Sequence, residues 1–191
     1  MAHCRVPWQN QAPLGPVSAC PLSGRRLLNG LRVFPHTESG TIPTWVGVGG
    51  SPESVVRTAR HGFALMLAII GGDVARFAPF SELFGRALAE FGQPVRPVGV
   101  HAPGHVAATD EQAWEEFLPH LEKTMRKVSA ERGFRPPTRA ELMRDVAPGG
   151  ALHVGSPETV ARKIADSLRT LGATRFDLKY GMAGMAHAHV L

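Results

Sequence analysis

Gly49, Gly50, Ser51 and Ser54 are the residues whose types and spacing suit a chemical task. Two glycines let the backbone approach a ligand with no Cβ in the way. Hydroxyls at the next position and three residues further on offer two hydrogen bonds to an oxyanion. Pro52 and Glu53, between them, suit the first turn of a helix, whose free N–H groups and dipole favour negative charge. The set describes an anion site of the phosphate type. It equally describes a plain strand-to-helix turn, in which Gly turns the chain and Ser caps the helix. Glu53 favours the helix dipole but repels a phosphate, so its side chain is expected to point away along the helix flank.

The elements that hold this turn are legible on both sides of it. Thr44-Trp45-Val46-Gly47-Val48 is a β-branched and aromatic run that reads as a buried strand. Val55, Val56 and Ala59 give the following helix an apolar stripe, and Gly62 stops it. Phe63 to Ile70 is apolar throughout, the pattern of a parallel strand covered on both faces. Asp73 can cap the next helix, where Phe77, Phe80, Phe84, Leu88 and Phe91 recur at helical spacing as core. Pro79 marks that helix's true first turn or a kink.

A third strand is expected at 98–106 and a long helix at about 110–131, burying Trp114, Phe117, Leu118, Leu121, Met125 and Val128. Thr138 and Glu141 stand at capping-box spacing. A short extended piece, Ala151 to Val154, leads into Gly155-Ser156-Pro157-Glu158, a near copy of the first turn. Its helix is expected to bury Val160, Ile164, Leu168 and Leu171, with a mainly packing role. Arg175 to Tyr180 alternates apolar and polar as a final strand. Strand–helix alternation predicts right-handed βαβ units and a parallel α/β sheet. About four strands with covering helices make either a small open sheet or half of an eight-stranded barrel.

Composition excludes several classes. The chain has 191 residues, 43% hydrophobic and 19% charged, which describes a globular domain. It holds no run of 18 apolar residues, so no membrane span is expected, and no secretory signal pattern opens it. Residues 1–40 carry four Arg and one Glu, whereas 41–191 carry seventeen basic and fifteen acidic side chains. The latter part lacks the basic stripe that nucleic acid requires. Cys4 and Cys20 form no disulfide framework or metal spacing and suit a reducing cytoplasm. Residues 1–40 show no period and are expected to be an irregular, flexible arm, with one domain at 41–191.

Other chemistries fit less well. No Gly-Lys-Ser/Thr follows the glycines, and Pro52 stands where a dinucleotide fingerprint needs its third glycine. Glu53 occupies the last position of a would-be G-x-S-x-G elbow. His101 and His105 share one face of an extended strand about 13 Å apart, too far for ligands at about 2.1 Å from one ion. A turn at Pro103-Gly104 would be needed to bring them together, and no Cys or carboxylate partner stands nearby, so no metal is assigned. His101 alone is a candidate active-site group, as a residue at the end of a strand; a hydrogen-bonded structural histidine is the alternative. Asp177 and Lys179 are expected to pair with neighbours under the helices.

PTWVGVGGSPESVVRTARHG followed by LMLAIIGGD resembles the strand-five to strand-six region of the flavin-dependent luciferase-like monooxygenases. HVGSPETVARKIADSLRTLGATRFDLKYG is similar to the segment that leads into the family's last barrel strand, and LNGLRVFP at 28–35 to its loop before strand five. The resemblance spans about residues 28–185. It implies a partial (βα)8 TIM-type barrel holding strands five to eight, FMN as cofactor, and oxidation of a small organic substrate by reduced flavin and O2. It implies FMN phosphate contacts at Gly50, Ser51 and Ser54, with Gly49 in the same turn and Val48 near the flavin ring. Strands one to four have no counterpart, so the chain is expected to be a fragment. Its complement would be a missing N-terminal half or another copy in a homo-oligomer. The alternative is a shortened barrel that binds flavin or phosphate without turnover.

Overall fold

A computed structural model of the chain describes residues 42–189. The expected arm, Cys4, Cys20 and LNGLRVFP lie outside the described residues. The compact unit begins at Trp45. β1 (Trp45–Val48) leads into α1 (Pro52–Arg60), and β2 (Ala64–Ala68) into a 3-10 turn (Val74–Phe77) and α2 (Ala78–Glu90). β3 (Val98–Val106) is followed by α3 (Asp110–Arg132) and α4 (Arg139–Val146). β4 (His153–Gly155), α5 (Pro157–Leu171) and β5 (Arg175–Tyr180) complete the unit. No helix among the described residues is long and apolar enough to cross a membrane.

All strand pairs are parallel, as the alternation of elements predicts. The strands number five, not four, because the extended piece before Ser156 pairs with the end of β3. Register fixes its position. Gly99 to His101 of β3 pair with β2 and also with β5, so those two strands lie on opposite edges. Gly104 pairs with both His153 and Tyr180, which puts β4 on the β2 side, beyond the end of β2. The main sheet therefore runs β1-β2-β3-β5 in chain order, as in the wall of a barrel.

Alternating side chains give the sheet two different faces. Val48, Leu65, Leu67, Val100 and Ala102 enter a core closed by Val55 and Ala59 of α1, Phe84 and Leu88 of α2, and Leu171 of α5. Trp45, Met66, His101, Arg175 and Asp177 share the opposite face by register. There the Arg175 guanidinium lies 5.0 Å from the Trp45 ring centre. Arg175 also binds Asp177 at two points, 2.7 and 3.1 Å. Asp177 thus pairs within its own strand and away from the helices that cover the core, and Lys179 is exposed. Over the C-terminal end of this face, Phe117, Leu118 and Leu121 of α3 join Leu142 of α4 and Val154 in a second core.

Helix boundaries follow local chemistry. Asp73 caps the 3-10 turn through Ala75 N–H at 2.8 Å, and Pro79 falls in the true first turn of α2. Phe91 lies past the end of that helix and is exposed, so the core stripe stops at Leu88. Thr138 and Glu141 form the expected capping box. In α5 the buried face is rotated from the apolar stripe: Lys163 and Ser167 are buried, whereas Ile164 and Leu168 are half-buried. Backbone carbonyls are the reason. The Lys163 ammonium donates to Val146 O, Ala147 O and Leu152 O at 2.5, 2.8 and 2.8 Å, using all three protons.

Candidate functional site

The turn between β1 and α1 holds the residues that the sequence singles out for an anion. Gly50 has φ of 122°, a region that favours glycine, and a Cβ placed there would meet nothing within 4 Å. Among the described residues, nothing fills the space above the turn. Ser51 caps α1, its Oγ accepting from Ser54 N–H at 3.2 Å. The Ser54 hydroxyl accepts from the Arg57 guanidinium at 3.2 Å, which brings a cation to the turn. Arg57 escaped the sequence reading, although its spacing of three from Ser54 places it on the same helix face. Val48 is buried with its side chain in the core, so only its backbone borders the turn.

Glu53 behaves differently from the expectation. It does not lie along the helix flank; its carboxylate accepts the Ser51 hydroxyl proton at 2.8 Å. Hydrogen bonds from its own backbone N–H and from Ser51 hold its carboxyl below the usual range. The helix N-terminus attracts the nearest anion, and in this turn that anion is Glu53. The donors are therefore those an oxyanion would use, with an exposed side-chain carboxylate standing in.

The second Gly-Ser-Pro-Glu turn is filled from elsewhere in the fold. Ser156 N–H donates to Asp110 Oδ1 at 2.6 Å, and Thr159 Oγ1 donates to Asp110 Oδ2 at 3.1 Å. These bonds, led by that from the Ser156 backbone, hold the Asp110 carboxyl low. A Cβ on Gly155 would stand 2.7 Å from Asp110 Oδ1. This turn is an internal joint between α3 and α5.

An open cleft of about 430 Å³ borders Gly49 at the C-terminal ends of β1 and β2. Leu121 and Met125 of α3 and Leu142 of α4 wall it, and Arg76 and Phe77 line it from the turn after β2. His101 is not among its lining residues. It sits in the middle of β3, level with Ala68 and Asp177, and not at a strand end. His105 is buried; its Nε2–H donates to Glu116 at 2.7 Å, and its Nδ1 has no partner. His153 is also buried: Nδ1–H donates to Ala151 O and Nε2 accepts from Ser167, each at 3.0 Å. Burial lowers its pKa to about 4. Among the described residues no three His, Cys, Asp or Glu side chains form a metal-binding group.

The wall of chain-ordered parallel strands, with covering helices and a glycine turn at the C-terminal end of β1, defines a partial (βα)-barrel. Residues 21–175 match the profile of the luciferase-like monooxygenases, and the chain belongs to that family.

Solved structures agree on the fold. The monooxygenase RslO1 from Streptomyces bottropensis is 17% identical, with 76% of this chain matched to 43% of that one at a TM-score of 0.59. Riboflavin lyase RcaE, solved with modified FMN and riboflavin, is 15% identical over 76% of this chain and 40% of its own, at 0.51. The coenzyme F420-dependent tetrahydromethanopterin reductase from Methanopyrus kandleri is 15% identical over 73% and 45%, at 0.50. The chain thus spans less than half the length of each. No curated protein matches it by sequence.

Proposed function

We propose that the turn from Gly49 to Ser54 holds the phosphate of FMN, and that the chain serves a flavin-dependent monooxygenase acting on a small organic substrate with O2. The observation that carries this reading is the open cradle itself: Gly50 with free space above it, two hydroxyls, and Arg57 at 3.2 Å from Ser54. Gly50 N–H and Ser51 N–H face the phosphate, the two hydroxyls bind it, and Arg57 offsets its charge. FMN in its reduced form would supply two electrons to O2, one oxygen atom of which would enter the substrate while the other leaves as water. The residues of the turn hold and orient the cofactor; none of them moves a proton. His101 remains the candidate for a reacting group on the open sheet face.

Among the described residues the outer edges of β1 and β5 have no partner strand. Further parallel strands, from an N-terminal half or a second copy, complete the barrel in this reading. A second reading, a shortened barrel that holds flavin without turnover, is favoured by the mixed polar face around Arg175 and Asp177, which is unlike a packed barrel interior.

FMN titration followed by fluorescence quenching tests the site. Ser51→Ala removes a charge-assisted hydrogen bond of about 1.5–3 kcal/mol and is expected to weaken binding roughly tenfold or more. Ser156→Ala, in the turn filled by Asp110, is expected to leave FMN affinity unchanged. Equal effects of the two substitutions would remove the phosphate from the first turn.

A further inference from the structure

The cleft beside Gly49 has the size of a small-molecule site and lies where parallel strands end. Leu121 and Met125 of α3, Leu142 of α4 and Phe77 give it an apolar portion. Four charged side chains also line it, and two of them, Arg135 and Glu141, pair with each other. Arg135 binds Glu141 at 2.7 Å, which uses both partners. Asp145 lies in the field of the buried Lys163 ammonium, which its charge supports. Of the two cations on the lining, Arg76 is the one left without a carboxylate. It forms no ion pair among the described residues, and its guanidinium stands 5.8 Å from the Phe77 ring centre.

We infer that this cleft binds a small organic acid, with the acid group on Arg76 and the apolar body against Leu121, Met125 and Leu142. A guanidinium accepts a carboxylate at two points, and an aromatic ring beneath it limits the orientations it samples. Gly49 borders the cleft on one side and begins the phosphate turn on the other, so the acid would lie beside the flavin as the second ligand. The inference deepens the flavin reading, on which it rests for the acid's role as substrate; binding of the acid itself needs no flavin.

The test uses the full chain with 13C-labelled methionine methyl groups and no added cofactor. Octanoate and octanol are the probes, with Met125→Leu to identify the Met125 signal. Octanoate is expected to move the Met125 methyl resonance saturably while leaving the other methionines nearly still. Arg76→Gln, at an exposed position, is expected to weaken octanoate about tenfold and to leave octanol unchanged. An unmoved Met125 signal, or equal losses for octanoate and octanol, would overturn the inference. FMN is titrated separately on the same variant and is expected to bind as in wild type. If Arg76→Gln weakens FMN and spares octanoate, Arg76 serves the phosphate, and the inference fails while the flavin reading stands.

Discussion

Glu53 should act as a built-in competitor for phosphate, so Glu53→Gln is expected to strengthen FMN binding. Its carboxylate lies 2.8 Å from the Ser51 hydroxyl that the phosphate must also use. A phosphate oxygen bonded to that hydroxyl would stand about 5 Å from the carboxylate. In water, two unit charges at that separation weaken binding about fourfold. A phosphate monoester carrying about −1.5 to −2 raises the penalty to roughly tenfold at low salt. At ~0.15 M salt, screening reduces it to roughly fourfold. Glutamine keeps an acceptor for Ser51, so the cap on α1 survives the substitution. The assay is fluorescence titration of FMN and of riboflavin, which lacks the phosphate, at two salt concentrations. FMN should gain affinity in the variant, more at low salt, and riboflavin should gain none. An equal gain for riboflavin, or no gain for FMN in dilute buffer, refutes the electrostatic account.

Stability should fall in acid through His153. Its folded pKa of about 4 lies below the ordinary 6.5, so the unfolded chain takes the proton first as pH drops. Stability present above 6.5 is lost as pH falls toward 4; between pH 7 and ~4.5 the loss is about 2 kcal/mol. Urea unfolding of wild type and His153→Gln across this range should give a steeper slope for wild type, and matching slopes would dismiss the histidine. Gly150→Ala should destabilise by about 2–3 kcal/mol, because its Cβ would stand 2.2 Å from Asp145 O, a backbone atom. Gly85→Ala, on the exposed side of α2 with no atom within 4 Å, should be neutral or stabilising by the same measurement.

Strands and helices were legible because their signals are local. Val48-Gly49-Gly50-Ser51-Pro52 names a strand end, a turn and a cap in five residues, and α1 starts at Pro52. Apolar runs likewise located β2 and β3, and Thr138 with Glu141 located α4. What stayed hidden depends on distant partners. Lys163 reads as a solvated helix residue, yet it is buried because three carbonyls from the α4 terminus and the following loop take its three protons. His153 is buried for a related reason, as it bridges Ala151 O and Ser167. His101 looked like a strand-end residue, but β3 runs five residues past it because β4 and β5 supply pairing to its far half. The cleft depends on α3 and α4 folding over the strand ends, and no local pattern announces that.

The repeated Gly-Ser-Pro-Glu turn separates what a motif specifies from what the fold decides. Both copies cap a helix with serine, place proline in the first turn and leave N–H groups that attract negative charge. At Ser156 the attraction is met by Asp110, the first residue of α3, which is fixed there because β3 and β4 pair side by side. Displacing it would require α3 to move. At Ser51 the carboxylate in place is Glu53, an exposed side chain two residues away that, among the described residues, bonds only Ser51. An incoming phosphate need only rotate that side chain aside, and it brings more charge and more acceptor oxygens than the carboxylate it replaces. Asp110→Asn should therefore loosen the α3–α5 joint without creating a second flavin site, since the neutral amide still fills the space that Gly155 leaves. In the proposed reading, the capacity to bind an external anion lies in the absence of a fixed internal one, and among the described residues the first of the two turns meets that condition.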